Sequence, residues 1–246
     1  MNKHVSRLLI LLLWIGIWWI ASEIVHLPLL LPGPMDTVKA LIRLGQTGEF
    51  WRSTGFTLVR VAAGYSCAVA AGVLLAVLCH VVKALDAFLT PLRSVIRATP
   101  VSSFIILVLL WISRQVVPGF ISFLMVLPIV WTGLQEALDS LDQNLLEMTR
   151  QYGFSTWKRL KYFYYPSVRP ALLAACVTGL GFAWKSGIAA EVIALPQFSI
   201  GGKLYDAKVY LESADLFAWT VTVILLSMAL EAALKWALNK GGGAKK

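Results

Sequence analysis

The strongest constraint on this chain is a succession of long apolar runs separated by short polar connectors. The hydrocarbon core of a bilayer is about 30 Å thick and takes about 20 apolar helical residues to cross. Runs of this kind, some of them shorter, cover residues 8–25, 54–78, 98–112, 116–134, 170–193 and 216–238. In lipid only a helix satisfies all its backbone polar groups within one segment. The expectation is therefore an all-α membrane protein with six transmembrane helices, in a single domain over residues 1–246. Hydrophobic residues make up 58% of the chain and charged residues 14%, against roughly 25% charged in soluble domains. That composition excludes a soluble enzyme and, more firmly, intrinsic disorder.

The formal charge of +9 would suggest a nucleic-acid partner in a soluble protein. Here it reads as topology, and no nucleic acid is expected. With the N-terminus in the cytoplasm, most of the 22 Lys and Arg residues fall inside. They include Lys83, Arg93, Arg97, Arg150, Lys158, Arg159, Lys161, Arg169 and the lysines of the 241–246 tail. An excess of Lys and Arg marks the cytoplasmic side, so both termini are expected there, in a multi-pass protein of the bacterial cytoplasmic (inner) membrane. The first run follows Lys3 and Arg7, and Ile20-Ala21-Ser22 loosely resembles a signal-peptide cleavage site. The Trp18-Trp19 pair and the continuation past Glu23 favour a retained helix.

Between the first two runs, Pro28, Pro32 and Pro34 break the chain. Asp36 is placed to cap a short helix carrying Val38, Leu41 and Ile42 on one face, ended by Gly45 and Gly48, which suits the membrane surface. The second run repeats Gly64, Ala68, Gly72 and Ala76, and the fifth repeats Ala171, Ala175, Gly179, Ala183 and Gly187. Each is a bare stripe on which a neighbouring helix can lie closely, a main source of helix association in lipid. A polar connector is expected over 82–97, and a loop around Pro196, Gly201 and Gly202. Pro118 and Pro128 lie within the fourth run, where neighbouring helices can satisfy the freed carbonyls. Cys67, Cys79 and Cys176 sit in apolar runs without metal-ligand spacing.

The longest polar stretch, 142–166, reads as a helix, a break at Gly153, and a second helix stopped by Pro166. Arg150, Lys158, Arg159 and Lys161 keep it in water, while Tyr152, Phe154, Trp157 and Leu160 give it apolar faces. Such a segment suits docking of a cytoplasmic partner; the plainer reading is a solvated loop whose basic residues set topology. Its Glu147, Gly153 and Pro166 resemble, in spacing, the cytoplasmic E-A-A, three residues, G, nine residues, I-x-L-P pattern of ABC importer permeases. Met148 and Thr149 replace the two alanines, Phe163 the isoleucine and Tyr165 the leucine. Leu31-Pro32-Gly33-Pro34, the 58–64 segment, Ala183-Trp184-Lys185 and Ala189-Ala190-Glu191 extend the resemblance over most of the chain. The arrangement is similar to the nitrate, sulfonate and taurine group of type I importer permeases.

That resemblance implies two permease subunits forming the pathway, expected to be a homodimer, and two cytoplasmic ATPase subunits. It also implies an extracytoplasmic binding protein that delivers the substrate. The 142–166 segment becomes the coupling helix, with Glu147, Arg150, Gly153, Phe154, Ser155, Trp157 and Pro166 coupling the ATPase to the spans. ATP-driven closure would draw these segments together, while the bare helix faces let the spans rock in alternating access. The sequence agrees on one point: it has no G-x-x-x-x-G-K-[ST] phosphate loop, and Gly201-Gly202-Lys203 is too short to be one. The chain is thus expected not to be an enzyme and to hold no cofactor, with ATP and magnesium on the partner.

Four residues are candidates for the substrate pathway. Lys185 lies well inside the fifth run, where a charge costs about 2.5–3.5 kcal/mol on insertion scales. It would attract an anionic nutrient from a water-filled cavity, or else pair with Glu191 or snorkel outward. Glu191 is six residues on, poor geometry for a pair within one straight helix, and is assigned to the outer end of the span as gate or loop anchor. Arg60 is close enough to the start of its run to snorkel. Trp184 could line the cavity, although an interfacial aromatic belt accounts for most of the 10 tryptophans. The cargo is expected to be small and anionic, the alternative being a neutral heterocycle such as a pyrimidine precursor. An ion-gradient-driven carrier would instead show inverted halves and buried carboxylates, and a membrane enzyme a cluster of His, Asp or Glu.

Overall fold

A computed structural model describes residues 3–240, all of whose regular elements are helices. The lysines of the 241–246 tail, and the side chains of Lys3 and Arg7, lie outside the described residues. Helix α1 covers Lys3–Val25, α2 Pro34–Gly45 and α3 Gly48–Val81, the last 34 residues long. Next come α4 (Lys83–Ala98), α5 (Val101–Val108), α6 (Val117–Asp139) and α7 (Gln143–Gln151). The short α8 (Thr156–Arg159) passes through a π turn at Leu160–Tyr164 into α9 (Tyr165–Ala194), followed by α10 (Ile200–Val209) and α11 (Ser213–Lys240).

The core forms where the two bare stripes meet α6. Gly64, Ala68, Gly72 and Ala76 of α3 are all buried, and so are Ala175, Gly179, Ala183 and Gly187 of α9. Helix α6 lies between α3 and α9 and packs most extensively against these two. The closest approach is backbone on backbone. A side chain at Gly64 would run into the carbonyl of Gly119, and one at Gly119 would come within 3.0 Å of the Arg60 carbonyl. Ser122 Oγ donates to the Ala183 carbonyl at 2.9 Å, tying α6 to α9 in the same layer.

Among the described residues, four helices are long and apolar enough to cross a membrane: α3, α6, the continuous rod from Thr156 to Ala194, and α11. The expected third crossing, 98–112, is not one helix. Helices α4 and α5 meet at 103° across Thr99-Pro100, and α5, at eight residues, is only about 12 Å long. The cause is local: proline pushes the preceding residue out of the helical region, and Thr99 is extended at φ −74°, ψ 128°. Counted as one broken crossing, the pair gives five. The first run contributes α1, whose described apolar part is Leu12–Val25.

Several local expectations are corrected. The 82–97 connector is the amphipathic helix α4, with Pro91 inside it. Gly33, not Asp36, is the N-cap of α2; Pro34 occupies the first turn, and Asp36 lies within that turn, where an acid favours the helix dipole. Gly48 does not end α2 but begins α3, capped by Thr47, whose Oγ1 accepts from the Phe50 N–H. Gly201 and Gly202 belong to α10, capped by Ser199. Pro166 stops nothing: it sits in the first turn of α9, just after a π turn that widens the hydrogen-bond ladder. Helix α2 is tied to α11 by the Arg43–Asp215 ion pair, and Trp18 of α1 donates to the Pro32 carbonyl at 3.2 Å while stacking on Phe217.

Candidate functional site: an exposed turn, a charged cavity and a buried ion-pair network

The 142–166 segment folds into a helix–turn–helix whose turn carries exposed aromatic side chains. Asp142 caps α7 by accepting from the Asn144 N–H at 2.8 Å. The helix ends in a turn where Phe154 N–H bonds the Thr149 carbonyl at 3.0 Å and Gly153 N–H the Arg150 carbonyl at 3.0 Å. This six-to-one closure requires a left-handed residue at Gly153, whose φ is +66°. Ser155 then caps α8, its Oγ accepting from the Lys158 N–H. Leu146 and Thr149 face inward, leaving Glu147, Arg150, Ser155 and Trp157 exposed and Phe154 half-buried around one turn. Tyr152 is 74% and Trp157 70% exposed, unusual for large aromatics with no interior role. Pro166 stands apart, beyond the π turn.

A substituent at Gly153 would meet nothing within 4 Å, so its cost is conformational. Gly153→Ala is expected to lower stability by about 1–2 kcal/mol, the penalty of the left-handed region, without changing expression. Thermal unfolding of the purified protein checks this.

The second feature is a cavity of about 760 Å³ between α4, α6 and α9, a size suited to a small molecule. Lys185 lines it, and so do Arg97 and Glu136, together with the hydroxyl-bearing Thr99, Thr132 and Ser186. Among the described residues, Arg97, Glu136 and Lys185 make no ion pair. The intrahelical Lys185–Glu191 pair is absent, as the helical geometry required. Trp184 does not line this cavity and belongs to no aromatic belt. It is 2% exposed, and its Nε1 donates to the Val223 carbonyl of α11 at 3.0 Å. A single tryptophan in an apolar run gives no signal that separates these fates.

The third feature joins two candidates that the sequence kept apart. Arg60 does not snorkel: its Nη1 lies 3.3 Å from Glu191 Oε1 and donates to the Phe198 carbonyl at 3.0 Å. Its Nη2 donates to Gln115 Oε1 at 2.6 Å and to the Gln197 carbonyl at 2.7 Å. Glu191, fully buried, also accepts from Thr57 Oγ1 at 2.9 Å and from the Gly201 N–H of α10 at 3.0 Å. It anchors the 195–199 loop rather than lining the cavity. The loop contains Leu195 and Phe198, both at positive φ (50° and 49°), and Arg52 lies over the Phe198 ring at 3.6 Å. Thr57 and Gln115 escaped the sequence reading; the only hint was that Thr57 precedes Arg60 by one helical turn.

Comparison with known proteins gives one family. Residues 68–237 match the family described as binding-protein-dependent transport system inner membrane component. The taurine transport system permease protein TauC of Escherichia coli is 21% identical over 226 residues, covering 89% of this chain and 82% of TauC. The riboflavin transport system permease protein RibX of Chloroflexus aurantiacus is 24% identical over 206 residues, covering 82% and 75%. A Brucella melitensis protein, "Probable ABC transporter permease protein BMEII0107", is 24% identical over 208 residues and covers 84% of each chain. The chain belongs to this family and is a type I ABC importer permease.

Proposed function

We propose that this chain forms the translocation pathway of an ATP-driven importer for a small, anionic nutrient delivered by an extracytoplasmic binding protein. Two copies enclose the pathway. A pair of cytoplasmic ATPase subunits, carrying ATP and magnesium, docks on the 142–166 segments, and both termini lie in the cytoplasm. The observation that carries this reading is the exposed turn at Tyr152–Trp157. Its aromatic side chains suit a groove on a soluble partner. The helix after it runs without a break from Thr156 to Ala194, so a displacement of the turn reaches the cavity wall at Lys185. Family membership sets aside the ion-gradient-driven carrier.

An anionic cargo is supported by the unpaired Lys185 and by the taurine named for TauC. A neutral heterocycle is the second reading, favoured by the riboflavin named for RibX. Tyr152→Glu combined with Trp157→Glu is expected to abolish co-purification of the ATPase from membranes of the source cell and with it ATP-dependent uptake. The double variant should still insert, because both side chains lie outside the core. Full ATPase recovery with the double variant would overturn the docking assignment.

A further inference from the structure

Resting on the reading that the cavity between α4, α6 and α9 is the transport route, we propose that Arg97 and Lys185 are two successive anion stations at different depths along it. The acid Glu136 stands at the cytoplasmic mouth. The cargo this fits is a small oxyanion: a carboxylate, sulfonate, phosphonate or inorganic anion.

The depths follow from how α6 and α9 pair. They run antiparallel, with Ser122 bonded to the Ala183 carbonyl and a side chain at Gly133 within 3.3 Å of Ala175 Cβ. Lys185 lies two residues beyond the first of these rungs and Glu136 three beyond the second, in opposite directions. At 1.5 Å per residue they are about 20 Å apart along the helices. Arg97 falls between them. Helix α4 begins at Lys83, whose Nζ is 2.9 Å from Asp139 at the inner end of α6. Further along, Arg93 donates to Gln135 Oε1 at 2.9 Å and sits over the Trp131 ring. Arg97 is one turn beyond Arg93, nearer the outer end. An anion moving inward therefore passes Lys185 first, then Arg97, and meets Glu136 last.

Both cations are exposed on the wall of one cavity, and among the described residues neither forms an ion pair. The largely buried Arg60, by contrast, is held by Glu191, and Arg93 by Asp86 at 4.0 Å. Passage needs sites favourable enough to enter and weak enough to leave, which two separated single cations provide better than one strong cluster. Arg97 presents a planar fork that suits two oxygens of one oxyanion, whereas Lys185 is a point charge. Glu136 repels the anion once it passes Arg97.

The test reads local potential and needs no knowledge of the cargo. In the full transporter in native membranes, with exposed Cys67 replaced by alanine, single cysteines are placed at Ala189 and at Thr132. Their modification rates by an anionic and a cationic methanethiosulfonate are compared. The anionic reagent is expected to be several-fold faster at both positions. Lys185→Gln should remove the preference at Ala189→Cys and spare Thr132→Cys; Arg97→Gln should do the reverse; Glu136→Gln should raise the preference at Thr132→Cys. Equal or faster cationic modification at either position, or one substitution abolishing both preferences, overturns the two stations. ATPase co-purification is scored in the same membranes: its loss in the parent strikes the transporter reading, whereas its retention with flat rate ratios strikes only the stations.

Discussion

Arg60→Ala is expected to cost about 3–5 kcal/mol, the range for stripping one partner from a buried ion pair. The variant leaves Glu191 buried without its cation, and it leaves the carbonyls of Gln197 and Phe198 and the Gln115 side chain without their donor. The loop it releases is already under tension. Leu195 and Phe198 occupy the left-handed region, at about 1–2 kcal/mol each for residues with a side chain. Removing both charges in Arg60→Leu/Glu191→Leu should recover part of the loss, because no charge is then buried alone. Thermal unfolding in lipid nanodiscs checks this: Arg60→Ala should melt on the order of 10 °C below the parent, and the double variant between them. An Arg60→Ala protein as stable as the parent would show that the network holds nothing.

Gly64→Val is expected to leave little folded protein in the membrane. Overpacking usually costs about 1–3 kcal/mol, because side chains can shift. Here the opposing atom is the backbone carbonyl of Gly119, which moves only if α3 and α6 separate. Separation opens the contact between the 60–64 and 118–122 layers that also positions Gly187, where an added side chain would meet Val61 at 2.6 Å and Ser122 at 2.7 Å. A graded series makes the argument specific. Gly72→Ala faces the Val130 side chain at 2.9 Å and should be milder, while Gly55→Ala, with nothing within 4 Å, should be silent. Detergent-extracted yield and monodispersity rank the three. An order that ignores the opposing atoms would contradict the packing.

What the sequence made legible was whatever depends on nearby residues. The stripes at Gly64–Ala76 and Ala171–Gly187 emerge from four-residue spacing alone, and all their members but the half-buried Ala171 are buried. The Gly153 turn emerges from a glycine between two amphipathic helices, and its φ of +66° fits that reading. Where apolarity outweighed local stereochemistry, the reading failed. Residues 98–112 are apolar enough for a span, yet Thr99-Pro100 turns the chain by 103° at their start and α5 already ends at Val108. Pro166 looked like a stop, but it stands in the first turn of α9, and the helix runs on past it after the π turn. Long-range pairs left no trace: Arg60 and Glu191 are 131 residues apart, and neither has a local feature naming the other. Trp184 shows the same limit, since a belt tryptophan and a core tryptophan bonded to another helix read alike.

The central claim is that energy enters this chain through the exposed turn at 152–157, from a separate ATPase. A photo-reactive amino acid in place of Trp157, irradiated in membranes of the source cell and followed by mass spectrometry of the adduct, tests it most directly. The account predicts one dominant adduct, to a subunit carrying a G-x-x-x-x-G-K-[ST] phosphate loop, with its yield changing when ATP is depleted. Adducts confined to lipid or to the chain itself, in membranes that contain such an ATPase, would contradict it.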